Sequence, residues 1–172
     1  MKFSKYLFFV IFVFLPSALF SQILVSGDID ILINGSSIIG KTVDELTARN
    51  NETMKDFQNK IDAFTLDMVH IIETAVEEER IISDDEFNIL KMEYQKLLQI
   101  NIPIELNDTF KKIGWNNNGY EKFMTIGFGM VVLLIQEVEE YELTGVNILF
   151  NLLDKNDIEI IKNRMLEIEE VM

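Results

Sequence analysis

Residues 42–80 read TVDELTARNNETMKDFQNKIDAFTLDMVHIIETAVEEER. Within this stretch Asn50, Met54, Phe57, Ile61, Phe64, Met68, Ile71 and Ala75 fall alternately four and three apart, a heptad seam whose first member alone is polar. From Gly40 to Gly114 the chain has no internal glycine and only Pro103 as a proline, so no helix breaker interrupts the pattern. Thr42 with Glu45 makes a capping box, and the spacing predicts a helix over 43–80, roughly 55 Å long at 1.5 Å per residue, with a break allowed near Asn50-Asn51 or Asn59. The seam can close within one chain or between two copies, so a homodimer stays open.

Ser83-Asp84-Asp85-Glu86 is a second capping box, and Phe87, Leu90, Tyr94 and Leu97 continue the three-four spacing behind it. An antiparallel helical hairpin is expected. Pro103 suits the first turn of a shorter helix with Leu106, Phe110 and Ile113 inward and Gly114 at the stop. Asn116 to Gly119 reads as a turn, followed by an apolar helix over 120–141 and two closing segments, 146–153 and 157–172, the last with Ile158, Ile161, Met165 and Ile168 as its buried stripe. The fold class is all-α: a bundle of five or six helices over 42–172.

Residues 22–41 read differently. Ile29, Ile31 and Ile33 alternate with Asp30 and Leu32 and lead into Asn34-Gly35, a strong hairpin turn signal, so a small β-hairpin or irregular arm is expected ahead of the bundle. Two strands alone are marginal in water, and such an arm has to lean on the helices or on another molecule.

Residues 1–21 place Lys2 and Lys5 before the apolar run Tyr6 to Leu15, then Pro16 and Leu19-Phe20-Ser21, the layout of a secretory signal peptide. The rival is an uncleaved anchor, because Tyr6 to Val25 is uncharged and about 20 apolar residues cross a bilayer. The chain has no cysteine, which excludes a disulfide scaffold and a lipid-accepting thiol and favours a bacterial periplasmic or secreted protein. Removing Lys2 and Lys5 leaves 15 − 2 = 13 basic against 29 acidic residues, a charge of 13 − 29 = −16. Such a surface repels nucleic acid and anionic headgroups, and it suits a basic protein or peptide partner.

No residue pattern points to catalysis. The single histidine, His70, shares a helical face with Asp67, Glu73 and Glu77, but a di-iron bundle needs histidine and carboxylates from several helices, and a solvated acidic face is the reading we prefer. Asp28-x-Asp30 fails as a calcium loop because Leu32 and Ile33 occupy ligand and turn positions. Gly127-Phe128-Gly129 lacks the third glycine and the preceding strand of a nucleotide loop. With no cysteine and no G-x-S-x-G elbow, a nucleophilic enzyme is not expected, nor is a cofactor.

Binding is the remaining class. Glu77, Glu78, Asp84 and Asp85 flank the turn between the two long helices, where Asp84 to Glu86 favour the next helix's positive N-terminal end, or the carboxylates meet a partner. Trp115 and Tyr120 sit in an asparagine-rich loop that either folds back as a lid on the core, which we favour, or is presented for contact. Residues 123–135 are uncharged and are expected to form the central helix, buried on every side; membrane contact through 6–25 or 123–135 is the alternative.

Overall fold

The computed structural model describes residues 22–138, 141 and 144–171, and among these every regular element is helical. The signal-peptide reading of residues 1–21 lies outside the described residues. The elements are α1 (Ser26–Ala48), α2 (Glu52–Glu77), α3 (Asp84–Leu98), α4 (Ile104–Ile113), α5 (Gly119–Gln136), a 3-10 helix η1 (Val146–Leu152), α6 (Lys155–Asn163) and α7 (Met165–Glu169).

The expected β arm is instead α1. Residues 26–48 carry both periodicities, because Ile31 and Ile33 add an alternating pattern to the helical stripe Ile29, Leu32, Ile39 and Leu46, each of which is at most 4% exposed. Tertiary contact decides between the two readings. Gly35, taken as a turn residue, is buried at a helix crossing where a Cβ would stand 2.8 Å from the Cβ of Ile113, so the missing side chain lets α1 lie against α4. The start of α1 is secured by Asp28, whose carboxylate accepts the Val25 N–H at 2.8 Å. Thr42 is therefore no cap; its hydroxyl lies mid-helix, 3.0 Å from the Ile38 carbonyl and 3.0 Å from the Thr109 hydroxyl.

The long helix ends where two asparagines allow it to. Asn50 takes a left-handed conformation (φ 53°), and Asn51 caps α2 by accepting the Met54 N–H at 3.0 Å. The seam holds: Met54, Phe57, Phe64, Met68 and Ala75 are buried and Ile61 and Ile71 half-buried, with Ile72 taking the fully covered place next to Ile71. It closes within one chain. Lys60 shares a cleft with Ile100, Asp67 with Glu93, and Arg80 bonds Glu86, so α2 and α3 run antiparallel as the spacing predicts. The Ser83-Glu86 capping box forms, with Glu86 accepting the Ser83 N–H at 2.8 Å.

Helix α5 divides the interior. Ile126, Met130 and Leu133 join the core of α1, α4, α6 and α7, while Phe128 and Val132 join the core of α2, α3 and η1. Gly129 admits Ile161 of α6, whose Cδ1 would lie 2.4 Å from an added Cβ. Contrary to expectation α5 is not covered all round. Val131 and Leu134 on α5 and Val138 just beyond it are 39–44% exposed, and a cleft of about 250 Å³ that Val131 lines opens between α2 and α5.

Candidate functional site

The acidic turn joins α2 to α3. Glu79 is left-handed (φ 50°), which reverses the chain after α2, and Ile82 is buried beneath the turn with its N–H donated to the Thr144 carbonyl at 2.9 Å. Arg80 holds the turn: its guanidinium donates two bonds to Glu86, each 2.8 Å, and one from Nε to Glu78 at 2.6 Å. The Arg80 bond, helped by Ser83, pulls Glu86 down to a pKa of about 2, so the pin stays charged throughout the neutral range. Of the sequence-derived contact residues, Glu78 is thus engaged internally, whereas Glu77, Asp84 and Asp85 are exposed and make no ion pair with a described residue. Glu79 joins them, and Ile81 stands 68% exposed among the carboxylates.

Trp115 and Tyr120 are a correction as contact candidates. Trp115 is 1% exposed, its ring 5.8 Å from Phe110, and Tyr120 donates its hydroxyl to the Leu97 carbonyl at 2.7 Å while meeting Phe57 edge-on. The loop closes over the core as a lid. Gly119 makes this fit, because a Cβ there would lie 2.6 Å from the Phe110 Cβ. His70 is exposed, and among the described residues no three histidine or carboxylate side chains gather as metal ligands.

Sequence reasoning missed a polar site at the other end of α3. Residues 22–25 precede α1, and of the proposed anchor stretch 6–25 Leu24 is fully buried in the core while Val25 beside it is 59% exposed. Asp157 in the first turn of α6, 1% exposed, accepts the N–H groups of Leu24 at 2.8 Å and Ile23 at 3.1 Å. Beside it Asp28 is ion-paired with Lys122 at 2.7 Å, both side chains largely covered. No local pattern marks Asp157, whose partners are 133 and 134 residues away.

Burial raises the pKa of Asp157, the two N–H bonds opposing it and the charges of Asp154 and Asp28 adding to it. A carboxyl raised on folding favours the fold below its unfolded value of about 3.9 and withdraws that support as pH rises through the folded value, so ionised Asp157 is a net electrostatic cost at neutral pH. Asp157→Asn, which keeps an acceptor without charge, should therefore match or exceed wild-type stability at neutral pH, with the advantage shrinking as pH falls towards 4. Asp157→Ala should lose about 1–3 kcal/mol by leaving buried donors unpaired. Denaturant unfolding of both variants across that range checks this; equal losses for Asn and Ala would contradict it.

On the facing flanks of α2 and α3, Glu93 is raised by burial and then by the neighbouring Asp67 carboxylate. No protein-family model, no curated protein and no solved structure matches this chain.

Proposed function

We propose that the protein is an exported, non-catalytic helical binding module of the cell envelope that takes a basic protein or peptide on its acidic surface, with the α2–α3 turn as the point of contact. The observation that carries this reading is the turn itself: Glu77, Glu79, Asp84 and Asp85 are exposed on the same turn as the exposed Ile81, on a backbone fixed by the Arg80–Glu86 pair. A preorganised array of like charge costs little ordering on binding, and the central isoleucine offers apolar area where charge alone would give no register. The net charge of the chain, −14 at pH 7, supplies long-range attraction for a cation-rich partner.

Binding of a lysine-rich amphipathic peptide to the exported protein tests it. Affinity should fall steeply as salt rises, because exposed charges are screened within a Debye length of about 8 Å at physiological ionic strength. Salt-indifferent binding, or none at low salt, contradicts the reading.

A second reading is favoured by the open side of α5, where Leu134 is exposed and the exposed Val131 lines an apolar cleft: contact with a membrane surface through 123–135. Among the described residues no helix is long and apolar enough to cross a membrane. Recovery of the full-length product in membranes after alkaline wash supports this reading, and a shortened soluble product supports the first.

A further inference from the structure

At the end of α3 opposite the acidic turn, a cleft of about 310 Å³ opens between α3, α5 and the start of α6, at the lower end of the size of small-molecule pockets. Three carboxylates line it, Glu121 on α5, Asp154 at the N-cap of α6, and Asp157. Lys122, the neighbouring base, is taken up by Asp28, and none of the three carboxylates is ion-paired with another described residue. The apolar lining comes from Leu98, Leu152 and Leu153.

Acidic side chains alone do not make a site, but the deep wall adds a second observation. Tyr94 and Thr125 both line the cleft, both are 1% exposed, and among the described residues neither hydroxyl makes a hydrogen bond of good geometry, the contact between the two being a poorly aligned one. The two hydroxyls are neighbours close enough to interact with each other, and Asp157 and Glu121 line the same cleft. Buried hydroxyls are almost always satisfied, and unpaired ones call for an outside partner. The carboxylates only accept and carry negative charge, so a cationic donor is the ligand that suits the lining as a whole.

We propose that this cleft binds a primary alkylammonium group, with the aliphatic stem against the three leucines and the ammonium donating to Glu121, Asp154 and the Tyr94 hydroxyl, which Thr125 adjoins. An ammonium has three donors and a four- or five-carbon stem that is happy on apolar surface, which matches the lining group by group. Asp157 keeps its backbone bonds and contributes its charge. The raised pKa of Asp157 reflects a buried charge that a bound cation would compensate.

The cation can arrive as a free diamine or as the lysine of a peptide, and the test separates these sources. The protein is titrated calorimetrically with 1,5-diaminopentane, with a lysine-containing tripeptide amide, and with 1-pentanol as the uncharged control. Saturable binding of either amine, without binding of pentanol, is expected, and the amine that binds names the source. Glu121→Gln and Tyr94→Phe should each weaken it roughly tenfold. Tyr94→Phe should leave the melting temperature unchanged or higher, because the hydroxyl it deletes makes no hydrogen bond of good geometry among the described residues. Asp84→Asn with Asp85→Asn should leave amine binding intact, which separates this site from the acidic turn. Failure of both amines to bind, or binding that Glu121→Gln and Tyr94→Phe leave unchanged, overturns the proposal.

Discussion

Trp115→Ala is expected to lower the unfolding free energy by about 3–5 kcal/mol, the cost of deleting a large side chain from a packed interior. The indole is 1% exposed, it packs on Phe110, and Phe110 and Trp115 both close around Gly119, so the cavity left behind would be walled by residues that cannot easily collapse into it. Its Nε1 has no hydrogen-bond partner among the described residues, so the loss is one of packing, and Trp115→Phe should recover more than half of it. Denaturant unfolding measures both. A loss below 1 kcal/mol accompanied by weakened peptide binding would mean that the loop is a contact surface and no lid.

Glycine substitutions along α1 should change sign within five residues. Gly35→Ala gains helix propensity of about 1 kcal/mol but places a methyl 2.8 Å from the Cβ and Cγ2 of Ile113, atoms too near the α4 backbone to swing away, and overpacking of this kind costs about 1–3 kcal/mol. The clash wins, and larger residues at 35 should prevent α1 from docking. Gly40→Ala meets nothing within 4 Å and should stabilise by about 0.5–1 kcal/mol. Melting temperatures of the two variants check the contrast. Stabilisation at both positions, or destabilisation at both, would contradict a continuous α1 crossing α4 at Gly35.

What was legible beforehand depended on how local the determining interactions are. The α2 seam, the Ser83 capping box, the Gly114 stop and the α2–α3 hairpin follow from side chains within one or two turns of one another, and each stands in the structure. Gly114 has a φ of 118°, a conformation that glycine alone adopts freely. Residues 26–41 misled because an isoleucine-rich run satisfies two periods at once, and Asn34-Gly35 carries a turn signal that means something else when Ile113 packs on the glycine. The helical answer depends on α4, some seventy residues on.

The candidate sites divide in the same way. The turn carboxylates could be named from charge runs, yet their internal use could not: Glu78 is held by Arg80, while the unpaired Glu79 was passed over. Trp115 and Tyr120 were named as contact candidates, but the lid was the preferred reading of their loop, and their burial agrees with it. The Asp157 clamp and the Tyr94–Thr125 hydroxyls were invisible, because they join residues from α3, α5, α6 and the N-terminal segment and leave no mark on any single helix face.

The central claim, that the rigid acidic turn is the recognition surface, is tested most directly by one binding comparison. The wild type and a variant carrying Glu77→Gln, Glu79→Gln, Asp84→Asn and Asp85→Asn are titrated with the same lysine-rich amphipathic peptide at low salt, with unfolding curves recorded for both. The account predicts at least tenfold weaker binding by the variant, with the Arg80–Glu86 pin and the overall stability retained. Equal affinity for the two proteins would contradict it.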